Sequence, residues 1–204
     1  MLLGTLIYGF VNSAILALLA MGFNLTFGIS GVANFAYGAV YIFSGFSAWI
    51  LLNTLGIPYL FAVLIAIVLA ALMGLAIYYG VILRIKGMPL SEVMATFGLG
   101  LAIMELFRYF DFVGFRYTLP VFIDGSFGIG DVYIDYQRMI IGLIAVVLTL
   151  CLYLFTNHTR VGLAFRAIAQ DERTALTFGI DADLVGALSM ALGCALAAIA
   201  AVVI

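Results

Sequence analysis

The sequence predicts an all-α, polytopic transmembrane helical bundle of about six spans, and two observations carry that reading. Of its 204 residues, 67% are hydrophobic and 9% charged, with a mean hydropathy of +1.30, which is more apolar side chain than a water-soluble fold can bury. The eight Lys and Arg and the ten Asp and Glu residues all stand at or after Arg84, so the first 83 residues carry no formal charge. A span needs about 20 mostly apolar residues, and this stretch therefore holds about three. A β-barrel would alternate polar and apolar side chains, which the run from Ile65 to Ala76 does not do. Helices remain as the way to satisfy a backbone in lipid.

Taken in order, the spans fall near 4–26, 31–52, 58–83, 91–110, 137–156 and 184–204. The first two are joined by a tight turn over Phe27, Gly28, Ile29, Ser30 and Gly31, the next by Asn53 to Pro58, and the third connection runs from Arg84 to Leu90. Longer segments cover 111–136 and 157–183. The first span has neither a basic leader nor a small-residue cleavage site and is read as retained. The last run stops at Ile204 without a polar tail, so the sequence is expected to be partial. Ala66, Ala70 and Gly74 in the third span, and Ser189, Gly193, Ala197 and Ala201 in the sixth, recur every four residues. Such ridges let helix backbones approach in lipid. They serve packing within the chain or a subunit interface. Cys151 and Cys194 lie inside apolar runs and read as packing residues.

Orientation follows from Lys and Arg in alternate loops. Arg84, Lys86, Arg160, Arg166 and Arg173 share one side. The 111–136 segment carries Arg116, flanked by Arg108 and Arg138, together with Asp111, Asp124, Asp131 and Asp135. The positive-inside rule makes 84–90 and 157–183 cytoplasmic, 111–136 extracytoplasmic and the N-terminus external.

The 157–183 segment is too long for a simple turn. Val161, Phe165, Ile168, Ala175 and Leu176 fall near one helical face, opposite Arg166, Gln170, Arg173 and Thr177. Gly179, Asp181 and Asp183 then read as a helix stop and a restart. A single short amphipathic helix is expected there. Asp171 and Glu172 offset its arginines, which disfavours a lipid-surface anchor, and leaves a structural cap or a docking element for a soluble partner.

Two stretches carry a family resemblance. Arg160 to Asp181 (RVGLAFRAIAQDERTALTFGID) resembles the cytoplasmic coupling segment of branched-chain amino acid ABC transporter permeases, and Gly22 to Gly38 (GFNLTFGISGVANFAYG) is similar to the opening signature of the same family. The resemblance implies a permease subunit of an ATP-driven importer for branched-chain amino acids, multi-pass in the inner membrane of a prokaryote. It implies an ATPase subunit docked on 160–179, with Arg160, Gly162, Arg166, Asp171, Glu172 and Gly179 as contact candidates. A second permease subunit and an extracytoplasmic binding protein are the other implied partners, the latter meeting Asp124, Asp131 and Asp135. Tyr37 stands where many members have His, and Ala39 where several have Glu, so roles tied to those side chains are absent here. Permeases of the same family carry urea, short amides and other small solutes, and nothing in the sequence fixes the pocket.

Polar groups inside spans are costly and usually face the bundle interior. That singles out Asn12, Asn24, Asn34, Thr96 and Glu105 as pathway candidates, with Glu105 placed to pair with Arg108 one turn on. The aromatics Phe112, Phe115, Tyr117, Phe122, Phe127 and Tyr133 fit an interfacial belt broken by Pro120. No catalytic or metal-ligand constellation is read: His158 is the only histidine, and no Gly-rich phosphate loop ends in Lys-Ser or Lys-Thr. The chain is thus expected to be no enzyme and to hold no cofactor, ATP being used by a partner subunit, and no nucleic-acid contact is expected. A secondary transporter or channel, for which Gly28 to Gly31 is a candidate helix break, and a membrane scaffold are the readings of other classes.

Overall fold

The computed structural model describes residues 2–31, 33–110, 125–129 and 132–203. Helix α1 (Leu2–Ser30) leads to α2 (Tyr37–Asn53) and α3 (Tyr59–Ile77). A π-helical turn at Tyr78–Ile82 carries α3 into α4 (Leu83–Ile85). Then follow α5 (Pro89–Tyr109), α6 (Tyr136–His158), the short α7 (Arg160–Gln170) and α8 (Glu172–Thr177), and α9 (Ala182–Val203). With α3 and α4 taken as one continuous span, five helices are long and apolar enough to cross a membrane. The sixth, α2, has 17 residues, at the short end of the spanning range of about 17–25. The molecule is a polytopic helical membrane bundle.

Residues 111–124 and 130–131 lie outside the described residues, and with them Asp111, Arg116, Pro120, Asp124, Asp131, Phe112, Phe115, Tyr117 and Phe122. What is described of that segment includes an antiparallel hairpin, β1 (Ser126–Ile129) paired with β2 (Val132–Asp135), in register Ser126 with Asp135.

Helix α9 is the centre of the bundle: 72% of its apolar window is buried, against 17–28% in the other spans. The two small-residue ridges explain this. Ala62, Ala66, Ala70 and Gly74 form the buried stripe of α3, and it faces α9. A Cβ on Gly74 would lie 2.8 Å from the Met190 carbonyl oxygen and 2.9 Å from Cys194 Sγ. The other side of α9 meets α1, where a Cβ on Gly193 would lie 2.8 Å from the Gly22 carbonyl oxygen. Both ridges therefore serve packing within the chain. Around these contacts Ala36, Val40, Ala70, Ile77, Tyr78, Met190, Cys194 and Ala198 close one core, and Val11, Ile15, Leu18, Ile141 and Leu196 close another between α1, α6 and α9.

One boundary differs from the sequence reading in a way that matters. The expected turn over 27–31 is helix: α1 runs through Gly28 to Ser30, the Ser30 hydroxyl donating to the Thr26 carbonyl at 2.6 Å, and the chain leaves it at Gly31, whose φ of 67° suits glycine. The connection to α2 then runs inward instead of staying at the end of the bundle. The Tyr37 hydroxyl reaches the Leu19 carbonyl at 3.1 Å, and a Cβ on Gly100 would lie 3.3 Å from Ala36 Cα. Leu19 and Gly100 lie eleven residues from the end of α1 and the start of α5, which at about 1.5 Å per residue is about 16 Å of depth. Non-helical backbone at bilayer depth is tolerated only where protein covers it.

Two kinds of glycine substitution should separate cleanly. Gly74→Ala and Gly193→Ala force a methyl against backbone that cannot retreat, and overpacking of about 1–3 kcal/mol outweighs the helix gain of about 1 kcal/mol. Thermal unfolding in detergent is expected to show both variants destabilised. Gly9→Ala and Gly45→Ala, which meet nothing within 4 Å, should unfold at or slightly above the wild-type temperature.

Candidate functional site

One end of the bundle gathers the charged connections. There α6 stops at His158 and Thr159 takes an extended conformation, its Oγ1 accepting the Gly162 amide at 3.0 Å to cap α7. Gly162 is buried directly on the carbonyls of Phe155 and Thr156, and a Cβ there would overlap them. The sharp reversal between α6 and α7 therefore requires glycine. Phe165 and Ile168 turn inward, the Phe165 ring edge-on to Phe155 at 5.9 Å, and join Ala175, Ala182 and Val185 in a small core of their own.

The single amphipathic helix expected over this segment is two. Asp171 is extended (φ −157°, ψ 102°) and its carboxylate accepts the Arg173 amide at 3.0 Å and the Thr174 hydroxyl, capping α8. Phe165, Ile168 and Ala175 are buried as the pattern requires, but Val161, in the first turn of α7, and Leu176, beyond the break, are exposed. Helix α8 ends at Thr177, Gly179 turns the chain with φ 79°, and Asp181 Oδ1 accepts the amides of Asp183 and Leu184 at 2.9 and 3.1 Å to open α9.

Arg160, Arg166, Asp171, Glu172 and Gly179 are exposed along this two-helix surface, and Gly162 is not. Arg166 reaches the Asn157 side chain and carbonyl, both at 3.4 Å. Exposed Leu163 and Phe178, 79% accessible, add apolar surface that the sequence pattern did not single out. Behind the surface, Lys86 Nζ lies 2.9 Å from Glu172 Oε1 and 2.9 Å from Asp183 Oδ1. Burial pulls the ammonium downward, but the hydrogen bonds and charges of the two carboxylates outweigh it and hold Lys86 above the usual lysine range. Gly87, with φ 92°, donates its amide to the buried carboxylate of Glu92 at 2.9 Å, which fixes the start of α5.

The five polar pathway candidates divide. Asn34 and Thr96 are buried and lie together around the inward-running connection. Asn34 Nδ2 donates to Met190 Sδ at 3.2 Å and its Oδ1 accepts the Ala36 amide at 3.0 Å. Thr96 Oγ1 donates to the Glu92 carbonyl at 2.9 Å and accepts the Phe35 amide at 3.3 Å. Asn34 thus belongs to the connection, not to a span. Asn12 and Asn24 are exposed on the outer side of α1, whose inward face is Val11, Ile15, Leu18, Gly22 and Thr26. Glu105 is exposed and pairs with Arg108 at 3.5 Å.

The family described as the branched-chain amino acid transport system permease component matches residues 5–204. The chain belongs to that family. This permease is 27% identical over 213 residues to the high-affinity branched-chain amino acid transport system permease protein BraD of Pseudomonas aeruginosa, covering 98% of the chain and 69% of that protein. It is 28% identical over 201 residues to the LivH proteins of the same description from Salmonella typhimurium and Escherichia coli K12, covering 92% of the chain and 65% of each. The permease chain thus spans about two thirds of the length of these relatives. No solved structure matches it.

The cap on α8 gives a pH test. The Thr174 hydroxyl first, then the amides of Thr174 and Arg173, hold the exposed Asp171 carboxyl below its usual range. A carboxyl lowered by folding stabilises above its unfolded pKa of about 3.9 and loses that contribution as pH falls below it. Hydrogen exchange at the Arg173 amide is expected to lose protection beyond the intrinsic trend below about pH 4, and Asp171→Asn should abolish that step.

Proposed function

We propose that this chain is the membrane permease subunit of an ATP-driven importer of branched-chain amino acids. Membership of the permease family carries the reading, and the names of the relatives supply its substrate class. The chain lines the route through the membrane. Hydrolysis of ATP falls to a separate ATPase subunit, since no loop of the kind that cradles nucleotide phosphates stands in the sequence. A second permease subunit and an extracytoplasmic binding protein complete the assembly. The charged end lies in the cytoplasm of a prokaryotic cell, and the N-terminus outside its inner membrane, in keeping with the clustering of Arg84, Lys86, Arg160, Arg166 and Arg173.

Within that reading the ATPase docks on α7 and α8. A short helix pair with exposed apolar and basic side chains on one side and its own small core on the other suits a groove and moves as a body. Arg160, Arg166, Asp171 and Gly179 form its polar contact, and Leu163, Leu176 and Phe178 its apolar contact, while the Glu172 carboxylate is taken up by Lys86. Gly162 acts indirectly, by setting the angle at which α7 leaves α6. Asn34 and Thr96 are the pathway residues of choice, because they lie inside the bundle beside non-helical backbone.

The test is ATP-dependent uptake of radiolabelled leucine into vesicles holding the full-length chain, its ATPases, its partner permease and its binding protein. Wild-type vesicles should accumulate leucine, and uptake should vanish without the ATPases. Arg166→Ala with Phe178→Ala should insert normally, lose the ATPase on co-purification and lose uptake by tenfold or more, the scale of removing two interface anchors of about 1 kcal/mol or above. Uptake of urea or a short amide in place of leucine would move the substrate class and keep the mechanism. Leucine uptake that persists without ATPases would overturn the reading.

A further inference from the structure

The charged end holds a cluster of side chains that docking does not use. Tyr78, Lys86, Glu172 and Asp183 come from four separate elements: the π turn that follows α3, the residue after α4, the start of α8 and the first turn of α9. Lys86 binds both carboxylates at 2.9 Å, and the Tyr78 hydroxyl donates to the same Asp183 oxygen at 3.4 Å. Among the described residues these are the only ion pairs that join different elements, the remaining one being Glu105 with Arg108 inside α5.

The pairs are a third to a half exposed, 36% at Lys86, 46% at Glu172 and 50% at Asp183. Ion pairs at such sites contribute little to stability and break easily. The fold does not need them, because α9 is already held by the close contacts at Gly74 and Gly193. Their placement is what distinguishes them. Helix α8 is six residues long and bounded at each end by non-helical backbone, extended at Asp171 and left-handed at Gly179. Lys86 is followed at once by Gly87 with φ 92°, whose amide is tied to Glu92 at the start of α5. It is preceded by the π turn, a local departure from α geometry that recurs at functional positions, and there Tyr78 lies against Gly186 so closely that a Cβ at Gly186 would meet its hydroxyl at 2.5 Å. A short hinged helix is thus linked by one lysine to the joint between α4 and α5 and to the start of α9. With two acceptors, Lys86 can release Glu172 and keep Asp183, so the link opens on the α8 side without leaving the ammonium unpaired.

We propose that Lys86 is a positioning residue of the transport cycle, an ion-pair link through Glu172 and Asp183 by which movement of α8 is passed to the α4–α5 joint and to α9. This rests on an ATPase docking at α7 and α8.

The test uses the full assembly in proteoliposomes and reads leucine accumulated per ATP hydrolysed. Lys86→Met keeps the aliphatic stem and removes the charge. The variant is expected to retain its ATPases and hydrolyse ATP while accumulation per ATP falls about tenfold, the scale of a coupling free energy. Exchanging the charges, Lys86→Glu with Glu172→Lys, should recover at least half of it, because the exchanged pair restores an attraction of opposite charges between the α4–α5 joint and α8. If Lys86→Met fails to assemble, Glu172→Gln, which leaves Lys86 paired with Asp183, is read in the same way. A wild-type ratio in these variants would overturn the link and leave docking intact. Where wild-type vesicles take up urea or a short amide in place of leucine, the same ratio is read with that solute. Docking itself fails if Phe178→Cys, made with Cys151→Ser, does not cross-link to the ATPase; the link then falls with it.

Discussion

Everything in this bundle depends on two places where helix backbones touch. In lipid there is no hydrophobic drive to bring one apolar helix against another, so association rests on van der Waals packing at close range. Gly74 opens α3 to the Met190 carbonyl and Cys194, and Gly22 and Gly193 open α1 and α9 to each other. These contacts set α9 between α1 and α3, and the larger residues, Tyr78, Met190, Val40 and Leu18, fill what remains. The second-order features then follow. With α3 and α9 held together, Lys86 and Asp183 become neighbours although 97 residues separate them, and the end of α9 is fixed where α7 and α8 can pack under it.

Much of this was legible. The absence of charge before Arg84 announces a membrane protein, and two ridges of small residues at spacing four mark the pair of spans that touch most closely. Gly179 and Asp181 mark the break before α9 by ordinary turn and cap chemistry. The expectation that failed over α7 and α8 had its own warning: Asp171 followed by Glu172 is a cap residue with an acidic first turn, masked because the apolar positions on either side still fit one helical period. The boundary at Gly31 was harder. Gly28, Ser30 and Gly31 look like turn residues, yet Thr26 and Ser30 return their hydroxyls to carbonyls of the preceding turn and helix persists. No local rule says that the chain beyond it runs inward.

The site was legible in kind and not in detail. Arg160, Arg166 and Glu172 could be picked out by a resemblance and an exposed stripe. The Lys86 cluster could not, since its members were visible only as a charge count and a helix start until the adjacency of α3 and α9 was known. Of the polar residues inside spans, helical angle decided the outcome. Thr96 lies on the face of α5 that meets the connection, whereas Asn12 and Asn24 sit off the line through Val11, Ile15, Leu18 and Gly22.

The helix around which the others close is also the one that follows them in the sequence. During synthesis α1, α2, α3 and α5 leave the ribosome before α9 exists, so α1 and α3 must be held in the bilayer with their glycine-lined grooves open to acyl chains. Assembly is therefore a late event, in which lipid is expelled from the grooves of α1 and α3 as α9 arrives. Premature partners, including other copies of the same chain, have that interval in which to occupy the grooves. The geometry that makes the finished bundle compact thus leaves its precursor dependent on timing.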